Sequence, residues 1–284
     1  GNLVGIQILE LDALLEAEAL ALRRPGNLIA FWDVDAPATL DRLQQHPDHP
    51  FRPLIPRYDL ILTYGGGAPV VAAYTALGAR RCVPIYNALD TASHHPVEPD
   101  PRYAADLGFL GNRLPDREAR VEEFFFKAAA TLPQRRFLLG GSGWDDRPRP
   151  ANVDYVGHVY TRDHNAFNAS PRAVLNISRE SMARYGYSPA TRVFEAAGAG
   201  ACLITDAWKG IEQFLAPDEE VLVADSGAQV AELLDGLSLE RARAIGAAAL
   251  ARVRAEHTYA HRAAQLEAVL EGRDRTATAR RQAV

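Results

Sequence analysis

The feature that most constrains the fold is the alternation of short apolar runs with longer helical patterns along the 284 residues. This order is the signature of parallel βαβ units, in which a helix crosses the sheet between two strands. We therefore predict an α/β protein. The predicted strands are residues 27–32, 58–63, 81–86, 106–110, 136–139, 153–156, 173–177, 201–205 and 220–223, and the predicted helices are 11–22, 37–45, 69–77, 116–132, 189–199, 239–256 and 259–271.

A polar, proline-rich stretch, DTASHHPVEPDP at residues 90–101, divides this alternation into two parts. Its composition is typical of an exposed linker, so His94 and His95 are expected to be solvated. We predict an N-terminal domain at 1–89, a linker at 90–105, a C-terminal domain at 106–256, a helix at 257–271 that packs back, and a tail at 272–284. Because only three or four strands precede the linker, we expect an incomplete N-terminal domain or a chain that lacks its natural start.

Composition and charge argue against several classes of protein. The chain is 48% hydrophobic and 24% charged, with a net charge of −5 and a pI near 5.9, so it lacks a global basic field for nucleic acid. Apolar runs long enough to span a bilayer are absent from the sequence, as is the charged start of a signal peptide. Cys82 and Cys202 lie in apolar, strand-like stretches and are expected to be reduced core residues. We expect a cytoplasmic protein.

The stretch SPATRVFEAAGAGACLITD, which begins at Ser188, resembles a dinucleotide-binding loop only at first sight. Ser188 is a good helix N-cap, Pro189 suits the first helical position, and Gly200 would end the helix before a strand. The dinucleotide fingerprint needs the opposite order, strand first and glycines opening the helix. We therefore interpret the glycines as packing residues and rank an NAD dehydrogenase last.

An anion site is expected instead at the N-terminus of this helix, at Tyr187, Ser188 and Thr191, where unpaired backbone N–H groups meet the positive end of the helix dipole. Thr191 and Glu195 are four residues apart and share a helix face. Two interpretations of Glu195 stay open: a solvated edge residue paired with Arg192, or an acceptor of hydrogen bonds from a ribose diol.

Loops that follow the predicted strands of the C-terminal domain supply further candidates. The turn GFLGNRLPDREAR contains Arg113 and Arg117, which suit a phosphate, whereas Arg120 is expected to balance the acidic residues of a surface helix. The remaining candidates for contact with a bound nucleotide are Gly141 and Gly143 in the loop GGSG, His158 in GHVY, and Arg179 beyond a strand end.

In the N-terminal domain, Asp33 and Asp35 of WDVDAP follow a strand directly. A D-x-D pair can hold a divalent metal beside a diphosphate, but Asp35 or Ala36 can equally cap the helix that Pro37 begins. We favour the second interpretation and predict no metal site, with Asp33 as a candidate general base. Gly65, Gly66 and Gly67 of TYGGGAP form another glycine-rich strand-to-helix loop, which can approach a substrate from the N-terminal side.

Taken together, these stretches resemble the CgeB-like, spore-maturation-protein-like glycosyltransferases of the GT-B fold. The resemblance rests on RYGYSPATRVFEAAGAGACLITDAWKGIEQFLAPDEEVLVAD, on FLGNRLPDREARVEEFF, RFLLGGSGW, VGHVYTRDHNAFN and LNISRESM upstream, and on EHTYAHR downstream, so it covers most of residues 107–270. FWDVDAP and IPRYDLILTYGGG resemble the later part of that family's N-terminal domain.

The resemblance implies two Rossmann-like parallel-sheet domains facing a cleft, with a nucleotide diphosphate sugar on the C-terminal domain. It implies that Glu195 holds the ribose hydroxyls, that Tyr187–Thr191 meets the diphosphate, that Arg113 and Arg117 lie against the phosphates, and that the loop near His158 meets the base. Broader relatives carry a second glutamate eight residues before Glu195, where this chain has Tyr187.

These observations predict a glycosyltransferase of the hexosyltransferase type. It would move a sugar from a nucleotide sugar, UDP-sugar favoured, to a small-molecule, glycan or protein acceptor without a cofactor or metal. Arg113, Arg117, Arg179 and the helix N-terminus would stabilise the leaving diphosphate. Asp33 would act on the acceptor as a base or orienting group. The acceptor-side residues would be Asp33, Asp35, Gly65, Gly66 and Gly67. Two alternatives stay open: a sugar-nucleotide epimerase or hydrolase of the same fold, and a non-catalytic nucleotide-sugar-binding protein.

Overall fold

The computed structural model describes residues 3–7 and 13–273. The chain forms two compact units. Unit 1 contains the described residues up to Asn87, the segment Arg184–Ser188, and the described residues from Ala260 onward. Unit 2 contains Ala88–Ala183 and Pro189–Tyr259. Within the described ranges, no helix combines the length and the apolar character that crossing a bilayer requires.

Unit 1 is built on a four-stranded parallel sheet with the strand order β1-β2-β3-β4. Its strands are β1 (Leu3–Gln7), β2 (Leu28–Asp33), β3 (Leu60–Thr63) and β4 (Cys82–Pro84), and its first helices are α1 (Ala13–Ala21), α2 (Ala36–Gln45) and α3 (Gly67–Ala76). Strand β1 is missing from the sequence prediction, because its apolar residues run on into a helical pattern without a turn signal between them.

Unit 2 contains a six-stranded sheet whose strand pairs are all parallel. Its strands are β5 (Leu107–Leu110), β6 (Phe137–Gly140), β7 (Val153–Tyr155), β8 (Ala173–Asn176), β9 (Leu203–Asp206) and β10 (Leu222–Ala224). Their order, β10-β9-β8-β5-β6-β7, reverses direction between β5 and β8. This is the doubly wound arrangement, in which ligands bind beyond the carboxyl ends of the strands at the reversal.

The helices of unit 2 cover a core formed by these buried strands. They are α4 (Pro115–Val121), α5 (Lys127–Thr131), α6 (His164–Ala169), α7 (Glu180–Tyr185, which ends in unit 1), α8 (Thr191–Gly198), α9 (Gly227–Gly236) and α10 (Leu239–Glu256). A π-helical turn, Glu122–Phe126, joins α4 to α5, so the single helix predicted at 116–132 is continuous. Its aromatic run packs inward, with Phe125 against Phe109 and Phe137.

The last helix, α11 (Tyr259–Leu270), contributes to unit 1 through its residues from Ala260 onward. Its Val269 is buried with Leu60 and Leu62 of β3, and the Val269 carbonyl accepts a hydrogen bond of 2.8 Å from Arg81. The predicted tail beyond residue 273 lies outside the described residues.

The segment predicted as a linker, residues 90–105, belongs to unit 2. The backbone N–H of Asp100 donates to Ser170 Oγ over 2.8 Å, and that of His95 to Asn165 Oδ1 over 3.3 Å. The stretch is held by side chains around α6, although its composition is that of a linker.

Helix α8 differs at its start from the sequence prediction. It begins at Thr191, and the residue at its N-cap position, Ala190, makes no side-chain capping bond. The buried Ser188 hydroxyl, which was predicted to cap the helix, donates instead to the Gly186 carbonyl. Its end agrees with the prediction, because Gly200 follows with a φ of 76°. The packing interpretation of the glycines is confirmed: a Cβ on Gly198 would lie 2.3 Å from Leu89 Cδ1.

The close approach of α10 to Gly200 predicts a strong effect of one methyl group. A Cβ on Gly246 would lie 2.2 Å from the Gly200 carbonyl oxygen, so Gly246→Ala should lower the free energy of unfolding by about 2 kcal/mol or more. Urea unfolding followed by circular dichroism measures this. Gly236→Ala is the control, since a Cβ there meets nothing within 4 Å and should be neutral or stabilising. Equal effects of the two changes would contradict the packing role.

Candidate functional site

The candidate site of unit 2 lies along the carboxyl edge of its sheet, at the strand reversal. Arg113 and Arg117 follow β5, and Arg179 follows β8, its neighbour in the sheet. The loop containing Gly141 follows β6, and His158 follows β7. Because the strands are parallel, their following loops share one edge. The predicted donor residues from four separate stretches of sequence are therefore brought to the same edge of the sheet.

The loops after β5 and β6 pack closely against each other, which explains why glycine occupies two positions of the loop after β6. A Cβ on Gly141, which has a φ of 120°, would lie 2.3 Å from the Gly111 carbonyl oxygen. A Cβ on Gly143 would lie 3.2 Å from Arg113 Cβ, and the Arg113 N–H donates to the Ser142 carbonyl. Both glycines thus allow loop-to-loop contact, whereas the sequence analysis assigned them to ligand contact.

Arg113 is engaged by two carboxylates of its own unit. Its guanidinium donates to Glu118 over 2.6 Å and to Asp146 over 3.0 Å, and its side chain is 29% exposed. A phosphate contact by Arg113 therefore requires an exchange of these ion pairs. Hydrogen bonding to Glu118 raises the pKa of Arg113, so the charge is permanent.

A pair of arginines at the same edge, Arg117 and Arg192, is less well balanced by neighbouring carboxylates than Arg113 is. The guanidinium carbons of Arg117 and Arg192 each lie 5.9 Å from the centroid of the Phe109 ring. Arg117 is buried, and its side chain donates to the Asn112 carbonyl. Among the described residues, the Nε atoms of Arg117 and Arg192 have no hydrogen-bond partner. Two N–H donors thus stay available in a partly buried place.

The electrostatics of this arginine pair favour an added anion. Burial, with repulsion by Arg192 as the second cause, lowers the pKa of Arg117 to about 10. Burial also lowers the pKa of Arg192. Asp116 opposes the effect on Arg117, whereas Arg179 adds to the repulsion. Guanidinium groups bind phosphate oxygens through paired N–H donors, so a diphosphate would relieve this repulsion.

Two further arginines have defined partners. Arg179 pairs with Asp116 through a 2.5 Å contact, which joins the loop after β8 to α4. Arg120 donates over 2.6 Å to Asp206, a fully buried carboxylate at the end of β9, and over 3.2 Å to Glu180. The expected surface ion pairs of Arg120 with its acidic helix neighbours are therefore replaced by a pair that crosses to β9.

His158 is exposed beyond β7. Its Nδ1 lies 3.4 Å from Ser142 Oγ, and its ring meets that of Tyr160 edge-on with centroids 4.7 Å apart. Contact of this ring with a nucleotide base stays a prediction.

Glu195 lies in the middle of α8 beside two histidines that the sequence analysis did not connect with it. Its carboxylate is 22% exposed and lies 3.9 Å from His94 Nε2. The ligand atoms of His94, His164 and Glu195 all lie within 4.8 Å of one another. His94 is 8% exposed, so the expectation of a solvated His94 is wrong, whereas His95 is exposed as expected.

The predicted donor turn is divided between the units. Tyr187 and Ser188 belong to unit 1, and Thr191 and Glu195 to unit 2. Tyr187 has a φ of 47°, a left-handed conformation that is uncommon for a side chain of this size.

The glycine loop of unit 1 closes on this turn. The Gly66 N–H donates to the Tyr187 carbonyl over 2.8 Å. A Cβ on Gly67 would lie 2.7 Å from the Tyr187 side chain, and one on Gly65 would lie 2.9 Å from Ser188 Oγ. Gly65, Gly66 and Gly67 are buried and serve this contact, rather than the open approach to a substrate that the sequence analysis expected.

Asp33 is enclosed in unit 1. It is 3% exposed and accepts hydrogen bonds from the Tyr74 hydroxyl, the Thr39 hydroxyl and the Asp35 N–H. Burial raises its pKa to about 6. This placement disfavours the acceptor-side base, because the carboxylate is satisfied by the turn into α2. Asp35 is the N-cap residue of α2, as the second interpretation expected, but its side chain makes no capping bond.

Comparison with known proteins identifies the family and agrees with this fold. The sequence profile of the family described as glycosyl transferase-like matches residues 117–268. The chain belongs to this glycosyl transferase-like family. The predicted enzyme class, a glycosyltransferase, is thereby confirmed, whereas the CgeB-like subfamily stays a prediction. A search of curated proteins finds no match.

Solved GT-B glycosyltransferase structures share the fold over most of the chain. Sucrose-phosphate synthase from Thermosynechococcus elongatus is 13% identical, with a TM-score of 0.64 over 93% of this chain and 72% of that one. HepE from Anabaena, in complex with UDP and glucose, is 12% identical, with a TM-score of 0.68 over 91% and 75%. The trehalose-6-phosphate synthase of Burkholderia multivorans is 15% identical, with a TM-score of 0.59 over 94% and 76%. The predicted GT-B-like α/β fold is confirmed.

The buried carboxyl of Asp33 predicts a pH-dependent stability. Its pKa rises from 3.8 to about 6 on folding, so its contribution is fully present below pH ~4 and is lost as the pH rises towards 6. The loss amounts to about 3 kcal/mol. Asp33→Asn keeps acceptors for Thr39 and Asp35 but cannot ionise, so the stability difference between variant and wild type should grow in favour of the variant over this range. Unfolding measured from pH 4 to 7 tests this, and a constant difference would contradict it.

The arginine pair predicts opposite effects of one substitution on stability and on anion binding. Arg192→Met keeps an apolar stem near Phe109 but removes the repulsion of Arg117. The free energy of unfolding should stay constant or rise by about 1 kcal/mol, while the affinity for pyrophosphate falls about tenfold. Urea unfolding and calorimetric titration measure the two effects.

The control for this substitution is Arg136→Met. Arg136 is half exposed and pairs with Asp154 at a distance of 2.6 Å. Its removal should change neither quantity appreciably. A destabilised Arg192→Met variant with undiminished pyrophosphate affinity would show that Arg192 serves packing only.

Proposed function

We propose that the chain transfers a sugar from a nucleotide diphosphate sugar, with the donor diphosphate bound by the arginine pair Arg117 and Arg192 of unit 2. The repulsion of these two partly buried guanidinium groups at the strand reversal carries the proposal. The repulsion disfavours the charged form of Arg117 in the free protein, whereas a diphosphate supplies a compensating negative charge. Membership of the glycosyl transferase-like family supports the same chemistry.

Charge stabilisation of the leaving diphosphate is the catalytic contribution that these residues offer. Arg117 and Arg192 neutralise the charge that develops when the bond between the sugar and the phosphate oxygen breaks. Arg179, whose charge adds to the field at Arg117, supports them, and Arg113 joins if its ion pairs with Glu118 and Asp146 exchange. The uncapped N-terminus of α8 adds backbone N–H donors.

The donor nucleotide is proposed to be a uridine diphosphate. The similar solved structures include HepE in complex with UDP-glucose and a trehalose-phosphate synthase described as UDP-forming. Glu195 is proposed to accept the ribose hydroxyl hydrogen bonds and His158 to meet the base. The acceptor is a small molecule, glycan or protein, and the CgeB-like subfamily and a cytoplasmic location are part of the same proposal.

Calorimetric titration with UDP and with GDP tests the donor site. UDP should bind more tightly than GDP, and Glu195→Ala should weaken UDP binding about 10- to 100-fold, because two hydrogen bonds to a charged group are lost. The titrations are run in EDTA, so that any metal ion at Glu195 does not contribute. Glu232→Ala, at an exposed position of α9, is the matched control. The proposal is contradicted if neither UDP nor GDP binds, or if Glu195→Ala leaves UDP binding unchanged.

Incubation with a nucleotide sugar alone separates transfer from the two alternative reactions. A transferase without its acceptor should return the donor almost intact, whereas free sugar or an epimer would identify a hydrolase or an epimerase. Turnover with an acceptor panel then separates the transferase from a binding protein.

A further inference from the structure

We propose that His94, His164 and Glu195 form a binding site for a divalent transition metal, with Zn²⁺ as the ion that fits best. One ligand atom from each of these residues lies within 4.8 Å of the other two. We assign the donor atoms as a Glu195 carboxylate oxygen and the two imidazole nitrogens without a hydrogen-bond partner among the described residues, His94 Nε2 and His164 Nδ1. Two imidazoles and one carboxylate are an established ligand set for zinc, with a fourth position open to water or another oxygen.

The orientation of His164 is the first argument. His164 is the first residue of α6, and its Nε2 lies 3.2 Å from the Val159 carbonyl oxygen. A carbonyl accepts, so this contact requires a proton on Nε2 and leaves the Nδ1 lone pair for a ligand. The buried Nδ1 has no hydrogen-bond partner among the described residues. A backbone carbonyl that orients the second ring nitrogen is a usual feature of metal-binding histidines.

The second argument is the burial of His94. Only 8% of this residue is exposed, and its Nε2 also lacks a hydrogen-bond partner among the described residues. Two buried imidazole nitrogens without hydrogen-bond partners, on residues beside one carboxylate, are costly for a structure without a ligand. A metal ion would satisfy both of them and the carboxylate at once.

Distance and charge are compatible with the ion. Zinc lies about 2.0–2.1 Å from histidine nitrogen, so tetrahedral ligand atoms are about 3.4 Å apart. His94 Nε2 and the nearer Glu195 oxygen are separated by 3.9 Å, a spacing that small side-chain rotations can close. The carboxylate of Glu195 supplies the negative charge of the ligand set.

The rival explanation is an ion pair between a protonated His94 and Glu195. It accounts for the 3.9 Å separation but leaves His164 Nδ1 without a partner. It also predicts no uptake of metal. Metal binding itself therefore decides between the two.

The substitutions can be chosen to remove one ligand atom each. His94→Asn places its amide near the Nδ1 position and removes Nε2, whereas His164→Gln keeps a donor for the Val159 carbonyl and removes Nδ1. Glu195→Gln removes the charge of the third ligand. His95→Asn is the matched control, because His95 is the exposed neighbour of His94 and lies outside the cluster.

The experiment is calorimetric titration of the EDTA-treated and dialysed full chain with ZnCl₂ at pH 7.5, and a parallel titration with CoCl₂ followed by visible absorption. The wild type and His95→Asn should bind about one equivalent of Zn²⁺ with equal affinity. His94→Asn and His164→Gln should weaken binding about 100-fold or more and should lose the visible band of tetrahedral cobalt. Thermal unfolding in EDTA establishes whether each variant is folded. If one of the histidine variants does not fold, Glu195→Gln is used in its place.

Failure of the wild type to bind Zn²⁺ would overturn the proposal, as would an equal loss in His95→Asn or retention of full affinity in both ligand variants. The test is separate from that of the donor site, since every readout is of metal binding without nucleotide. Metal binding without UDP binding would contradict the proposed function but not this inference. UDP binding without metal binding would contradict this inference but not the proposed function.

Discussion

The reversal of strand order between β5 and β8 is the constraint on which the candidate site depends. Parallel strands place their carboxyl ends at one edge, and helices that leave in opposite directions open a crevice at the reversal. Arg117 leaves from β5 and Arg179 from β8, so residues over sixty positions apart share this edge. Phe109, inside β5, supplies the apolar surface against which Arg117 and Arg192 lie. The topology therefore concentrates positive charge that the sequence distributes widely.

The same concentration makes the free protein electrostatically unfavourable at one place. Arg113, Arg179 and Arg120 each have carboxylate partners within 3.2 Å, so their charges are balanced inside the protein. Burial and the repulsion of Arg192 instead lower the pKa of Arg117, and burial lowers that of Arg192. An interaction that weakens the free protein and is relieved by a ligand is characteristic of a binding site, because the relief adds to the affinity. This contrast separates the arginine pair from the structural arginines around it.

Much of the fold could be predicted from the sequence, because buried parallel strands and their crossover helices give strong periodic signals. Every strand of unit 2 overlaps its predicted range, and α10 matches its predicted range. The errors have local causes. In the sequence, the apolar residues of β1 run on into a helical pattern, so the strand was not predicted. Ser188 has the residue type of an N-cap, but its hydroxyl donates to the Gly186 carbonyl. The residues 90–105 have the composition of a linker, yet Asn165 and Ser170 hold them on unit 2.

The candidate site was less predictable, because its decisive contacts join distant parts of the sequence. Arg117, Glu195 and Arg179 have the residue types and positions that suggest anion and ribose binding. Nothing in the spacing of His94 and His164 shows that they meet Glu195, since 70 and 31 positions separate the members along the chain. The glycine loop of unit 1 shows the converse: its sequence suggests a substrate loop, but Tyr187 and Ser188 fill the space that the glycines leave.

Arg192 connects the two proposals made for unit 2. It repels Arg117 on one side. On the other side, burial lowers the pKa of His164 and the charge of Arg192 adds to this effect, while Glu195 attracts Arg192 and partly opposes the lowering of the Arg192 pKa by burial. A diphosphate that neutralises Arg192 would reduce the repulsion that this cation exerts on a metal ion held by His94, His164 and Glu195. The metal would in turn leave Arg192 with less attraction to Glu195 and more for the phosphate. Binding linkage is reciprocal, so each ligand would strengthen the other to the same extent. The carboxylate of Glu195 has two oxygens, and one of them can meet a ribose hydroxyl while the other binds the metal.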